Sequence, residues 1–156
     1  MKTLIVMSAL PGSGKSTWAN NYANKHANVF ILSIDEIRFE VTNSYSDFSK
    51  QKKVWKIFNR RLKRLSKAND ATIILDALND TNAARLSYVR DYPNFDEYVL
   101  VYMKKEKTQL QYFNRQRPKN RWVPEESLKK LYDRFEDIND EVKKAYSKIV
   151  VIKNYS

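Results

Sequence analysis

Apolar positions follow two rhythms along the chain. Short continuous runs at residues 3–7, 29–34, 71–75 and 98–103, with a fifth at Lys148–Ile152, are mostly rich in β-branched residues and only four to six residues long. Runs of that length and composition favour buried strands over helices. Between them, residues 16–26, 48–67, 82–90, 108–115 and 125–144 repeat apolar side chains at three- and four-residue spacing. Strands alternating with helices predict βαβ units, hence an α/β fold with a parallel five-stranded sheet covered on both faces. No repeat or low-complexity linker interrupts the pattern, and a length of 156 residues suits a single domain over 1–156.

The 48–67 segment shows how core and charge are divided. Phe48, Trp55, Phe58, Leu62 and Leu65 form an apolar stripe, while Lys53, Lys56, Arg60, Lys63 and Lys67 take the other side. Nine basic residues and no acidic one lie between Phe48 and Asn69. This is either a nucleic-acid track or a solvated helix face. The whole chain carries 29 basic against 18 acidic residues, a net charge of +11, which favours anionic partners over neutral ones. A lysine-rich compositional bias is the other source of such an excess. Cysteine is absent, which excludes disulfides, thiolate zinc sites and a cysteine nucleophile. No apolar stretch is long enough to span a membrane, and the N-terminal run leads into Pro11-Gly12-Ser13-Gly14-Lys15 rather than a cleavage site. The sequence therefore predicts a soluble, cytoplasmic protein.

Glycine supplies the sharpest signal. Ordinary usage of about 7% would give roughly 11, and the chain has two, Gly12 and Gly14. They fall in Ala9-Leu10-Pro11-Gly12-Ser13-Gly14-Lys15-Ser16-Thr17, between an apolar strand and a helix start. This is the G-x-x-x-x-G-K-[ST] phosphate loop with Ala9 in place of the first glycine. Backbone N–H groups and a helix N-terminus there converge on phosphate. Lys15 can neutralise β- and γ-phosphate charge, and the Ser16 hydroxyl suits Mg²⁺. The nucleotide set is thus Pro11 to Thr17, with Thr17 standing where a dinucleotide fingerprint would need a third glycine.

Three further groups extend the site. The second strand ends in Asp35-Glu36-Ile37-Arg38, at the carboxyl edge where open sheets bind ligands. A carboxylate at Asp35 can take a proton from an attacking hydroxyl, and Arg38 offers a planar fork for a substrate phosphate. Capping of a helix by Ser33 with Glu36 is the structural role this segment would otherwise serve. Asp76 ends the third strand as a Walker B acid would, able to hold a Mg²⁺-bound water or to orient Arg38, or else serving as a turn residue. Arg115, Arg117, Lys119 and Arg121 precede Val123-Pro124 and predict a lid over about residues 115–123 that closes on bound ATP, or a plain basic loop.

With these residues in place, the chain resembles the kinase domain of phage polynucleotide 5′-hydroxyl kinases and, more broadly, small P-loop kinases of the AAA_33 and zeta-toxin type. The resemblance runs over roughly residues 1–135, through Pro11 to Ala19, the Asp35-x-x-Arg38 spacing, the basic helix, Asp76 with Asn79, and the arginines before Val123-Pro124. It implies that Asp35 is the general base for a 5′-hydroxyl, that Arg38 contacts a 3′-phosphate, and that Arg115 or Arg117 grips ATP. Lys15, Asp35, Arg38 and Arg117 then form the expected catalytic set, and Asp35, Arg38, Asp76 and Val123 the substrate contacts. Pro118 and the arginine spacing depart from the family pattern in the lid. The chain also has no Asp-x-Asp-Gly-Thr motif, so no phosphatase is expected. The implied activity is Mg²⁺- and ATP-dependent phosphorylation of RNA or DNA 5′-hydroxyl ends. A small-molecule kinase and a non-catalytic nucleotide switch remain the alternatives.

Overall fold

Strand β1 (Thr3–Ala9) is buried along its whole length because it runs through the centre of the sheet. The computed structural model describes residues 1–104 and 106–153; residues 105 and 154–156 of the expected 1–156 domain lie outside the described residues. β3 (Thr72–Asp76) and β4 (Glu97–Met103) flank β1, and β2 (Val29–Ser33) and β5 (Lys148–Ile152) form the edges. The order is β2-β3-β1-β4-β5 and every pairing is parallel. The predicted five-stranded α/β sheet is therefore the one observed.

Alternation along each strand divides the core. Leu4, Val6, Ile73, Leu75 and Leu100 face Val54, Phe58 and Leu62 of α3 (Gln51–Leu65), Tyr88 of α4 (Asn82–Asp91) and Val142 of α7 (Asp140–Ala145). Ile5, Met7, Ile74, Val99 and Val101 point the other way, towards Ala19, Trp18 and Tyr22 of α1 (Lys15–Lys25). A third cluster sits beyond the strand ends, where Leu110 of α5 (Lys107–Gln116) and Leu128 of α6 (Glu125–Arg134) meet Leu10, Tyr102 and Phe135. Among the described residues no helix is long and apolar enough to cross a membrane.

Three expectations need correction. The helix expected over 125–144 is two helices, α6 and α7, with residues 135–139 drawn out between them. The cause is Arg85, which is fully buried. Its Nη2 donates to Glu136 O at 2.7 Å, its Nη1 to Asn82 Oδ1 at 2.8 Å and its Nε to Ser8 Oγ and Asn79 O at 3.1 Å. A guanidinium without solvent must find acceptors, and the Glu136 carbonyl is free only outside a helix. Asn82 Nδ2 holds the next carbonyl, that of Asp137, at 2.9 Å. Asn139 then caps α7 by accepting from Val142 N at 2.9 Å. The helix expected over 48–67 spans only Gln51–Leu65, and Phe48 leaves its stripe: it is 59% exposed and lies over the Arg38 guanidinium, 4.2 Å from its ring centre. Finally, the second strand stops at Ser33, because Ser33 Oγ accepts from Glu36 N at 3.3 Å and starts α2 (Ile34–Thr42) one residue early.

Both glycines adopt left-handed torsions, with φ of +83° at Gly12 and +92° at Gly14. A Cβ on Gly12 would stand 3.1 Å from Leu110 O and 3.2 Å from Asn114 N, so α5 packs directly on the turn. Gly12→Ala is expected to cost more than the torsional penalty of about 1–2 kcal/mol, because backbone on α5 must also move. Urea unfolding of the variant beside the unsubstituted chain checks the loss.

Candidate functional site

The phosphate loop joins β1 to α1, and β3 beside it ends in Asp76. Their adjacent carboxyl ends lie where the connections diverge to opposite faces, the usual ligand crevice of an open sheet. Ser13 N donates to Leu10 O at 3.2 Å and Trp18 N to Gly14 O at 2.9 Å, closing the turn and opening α1. Lys15 is buried, 7% exposed, yet takes no hydrogen bond or ion pair with any described residue. Ser13 Oγ is likewise buried without a partner. The Asp35 carboxylate acts on Lys15 through space without a direct ion pair, which leaves the three ammonium donors for an anion in the loop.

Ser16 Oγ donates to Asp76 Oδ2 at 2.9 Å, while Asp76 Oδ1 is buried and unpartnered. A hydroxyl and a spare carboxylate oxygen beside a phosphate loop fit a hydrated Mg²⁺, which takes few protein ligands and keeps several waters. Asp76 makes no hydrogen bond to Arg38; its partner is Ser16.

Asp35 faces the loop from the first turn of α2. Arg38, one turn on and 4% exposed, donates through Nη1 to Asp35 Oδ1 at 2.6 Å. Arg121 Nη2 approaches Asp35 Oδ2 at 3.7 Å, and its guanidinium lies over the Tyr45 ring at 4.3 Å. Burial pushes the Asp35 carboxyl up, but Lys15, the Arg38 hydrogen bond and charge, and Arg117 outweigh it and hold it below its ordinary value. Burial and the like charge of Arg121 depress Arg117. Arg38 Nε, Arg117 Nη1 and Arg121 Nε are all buried without acceptors. Three guanidiniums thus hold donors in reserve around one carboxylate.

The lid over 115–123 is shaped by a residue that sequence reasoning missed. Asn114, 3% exposed, donates through Nδ2 to Val123 O at 2.7 Å and accepts at Oδ1 from Val123 N at 3.0 Å. This clamps the two ends of the loop together, and Trp122 Nε1 donates across it to Arg117 O at 2.8 Å. Only an Asn followed nine residues later by the Val-Pro that ends the loop hinted at this pairing. Arg117, Arg121 and Val123 line a cavity of about 1200 Å³ together with Pro11, Lys15, Asp35 and Arg38. Arg115 is not among its lining; it pairs with Glu125 on the surface. Phe48, Trp55 and Trp122 add aromatic wall, which the sequence had suggested only as core or lid. Among the described residues there is no cluster of three metal-ligating His, Cys, Asp or Glu side chains.

Comparisons with known proteins agree on the scaffold. The family model described as "Chromatin associated protein KTI12" matches residues 2–153. Chaetomium thermophilum Kti12 in complex with ADP-AlF3 aligns with a TM-score of 0.67 at 16% identity, over 96% of this chain and 88% of that one. The Pnkp1/Rnl/Hen1 RNA repair complex contains a chain aligning at 0.75 and 19% identity, over 94% of this chain and 46% of that one. A gluconokinase from Sinorhizobium meliloti 1021 aligns at 0.65 and 16% identity, over 97% and 82%. What these share with the resemblance drawn from the motifs is the P-loop kinase-like fold.

Two outcomes follow from the geometry. A carboxyl-carbon NMR titration, with Asp35→Asn assigning the signal, is expected to place the Asp35 midpoint below the usual value of about 3.9. Its stabilising contribution is then complete above that value and lost as pH falls through the lowered midpoint; a midpoint at or above 3.9 would contradict the charge arrangement. Asn114→Ala leaves both Val123 backbone groups unpaired and is expected to cost about 1–3 kcal/mol, with the lid becoming the first site of proteolysis.

Proposed function

This chain belongs to the KTI12 family, and from that premise we propose that it is a P-loop phosphotransferase that moves the γ-phosphate of ATP to a 5′-hydroxyl of RNA or DNA. The observation that carries the reading is that Lys15, Asp35, Arg38, Arg117 and Arg121 line one cavity. Donor-phosphate and acceptor chemistry then meet in a single space. At about 1200 Å³ the cavity exceeds most small-molecule sites, and its aromatic wall suits nucleobases.

The loop amides and Lys15 hold the triphosphate, and Arg117 meets charge that develops on the transferring phosphoryl group. Ser16 and Asp76 would hold Mg²⁺, which would offset the charge of the phosphates. Arg38 and Arg121 orient the acceptor's own phosphate. The acceptor oxygen bonds to the γ-phosphorus as the bond to the β-phosphate oxygen breaks. ADP departs and Asp35 takes the hydroxyl proton. A carboxylate held low by its neighbours is a weak base, so the proton leaves late, once bonding to phosphorus has acidified the hydroxyl. That order suits a loose phosphoryl-transfer transition state.

A second reading, transfer to a small polyol, draws on the fold shared with the gluconokinase and on the neutral polar groups Gln51, Asn59 and Ser87 in the same cavity. An acceptor panel separates the two. With labelled ATP and Mg²⁺, a 5′-hydroxyl oligonucleotide is expected to gain label, and a 5′-phosphorylated one and gluconate are not. Asp35→Asn is expected to keep ATP binding and lose 10²- to 10⁴-fold in turnover, as estimated for a positioned base. Label on gluconate alone would replace the proposal, and no transfer to any acceptor would favour a nucleotide switch.

A further inference from the structure

We infer that the outer face of α3 is a track for the phosphodiester backbone of the nucleic acid whose end enters the cavity. The inference rests on the proposed function for the identity of that partner. Lys52, Lys53, Lys56, Arg60, Lys63 and Arg64 are all exposed. At about 100° per residue they fall within an arc of about 120° on one side of the helix. None makes an ion pair with a described residue; the one basic residue of α3 that does, Arg61, points away from them and pairs with Glu40 at 2.6 Å. From Lys52 to Arg64 the row is about 18 Å long, which is about five steps of a helical strand at 3.4 Å each.

The placement of these charges works against the helix that carries them. Acidic residues near a helix N-terminus are stabilising and basic ones are not. α6 opens with Glu125 and Glu126, and α7 with Asp140 and Glu141. α3, like α1, α4 and α5, has no acid in its first turn, and it carries Lys52 and Lys53 there. A basic face that arose from composition alone would mix signs, as α6 does with Lys129, Lys130 and Asp133. The order of residues around α3 also joins the face to the cavity. Trp55 and Asn59 line the cavity and occupy the flank between the buried seam of Val54, Phe58 and Leu62 and the cationic row. A strand leaving the cavity over this flank runs directly onto the lysines.

The test is binding of a fluorescent single-stranded 12-mer with a 5′-hydroxyl, without ATP, across a salt series. If all six cations meet phosphates, log K should fall against log salt with a slope of about −4. Lys56→Gln with Arg60→Gln and Lys63→Gln should bring it to about −2 and weaken binding at least 10-fold at low salt. Lys52→Glu with Lys53→Glu should weaken binding similarly while leaving the thermal midpoint equal or higher, since the helix gains acids at its N-terminus. A purely structural face would not separate stability from affinity in that way. Unchanged affinity and slope in both variants would overturn the inference. So would failure of the wild type to bind the 12-mer, or binding only to anionic phosphatidylserine vesicles. Binding that follows the expected pattern with no phosphoryl transfer would instead overturn the proposed function and leave the track standing.

Discussion

Four cations outnumber two carboxylates, Asp35 and Asp76, at the mouth of the phosphate loop. Lys15, Arg38, Arg117 and Arg121 all converge on the space around Asp35, which hydrogen-bonds Arg38 at 2.6 Å and lies 3.7 Å from Arg121. Partial burial makes that imbalance expensive in the free protein. The buried donors left over on Arg38, Arg117 and Arg121 have no acceptor among the described residues. Much of the architecture exists to hold these groups together: β1 delivers the loop, β2 delivers Asp35 through the Ser33 cap, and the lid delivers Arg117 and Arg121. An anionic ligand removes the imbalance, so the site trades stability of the free protein for affinity.

Backbone packing couples the loop to the lid. Gly12 lets the backbone of α5 come within a Cβ's reach of the phosphate turn, at Leu110 and Asn114. Asn114 is also the residue whose amide clamps Val123 and closes the arginine loop. The turn that cradles phosphate and the segment that carries the lid arginines therefore share one contact. A shift of α5 would move both.

The parts of this molecule legible in sequence were those set by local pattern. Continuous apolar runs marked the strands because both sheet faces are covered, and the strand–Gly–Lys–Ser–helix order marked the phosphate loop because backbone torsion and charge are both local demands. The Asp35-x-x-Arg38 spacing survived for the same reason: one helical turn brings the two side chains together. What was not legible depended on distant partners. The break at residues 135–139 answers the acceptor needs of Arg85, 51 residues from the Glu136 carbonyl it holds. Phe48 has the spacing of a core residue, but the helix begins after it and its ring covers Arg38 instead. Arg115 has the sequence neighbourhood of a lid arginine, yet its place on α5 turns it towards Glu125. Asn114 carried no signal of its own, since an amide reveals a clamp only when both ends of the loop are seen.

Charge in this chain is sorted rather than merely abundant. Acids are spent where arginines and lysines tie elements together, as in Asp80 with Arg134, Asp137 with Lys104 and Glu40 with Arg61. They are withheld from the outer face of α3. Lysines in the first turn of α3 forgo dipole stabilisation of about 0.3–1 kcal/mol each. The cavity's imbalance is short-ranged and acts on whatever enters it. The row on α3 is exposed, so it acts over roughly a Debye length and weakens with salt. In the proposed reading, a polyanion is drawn first by the row and then, at its end, by the buried arginines. A small neutral acceptor would gain nothing from the first of these fields.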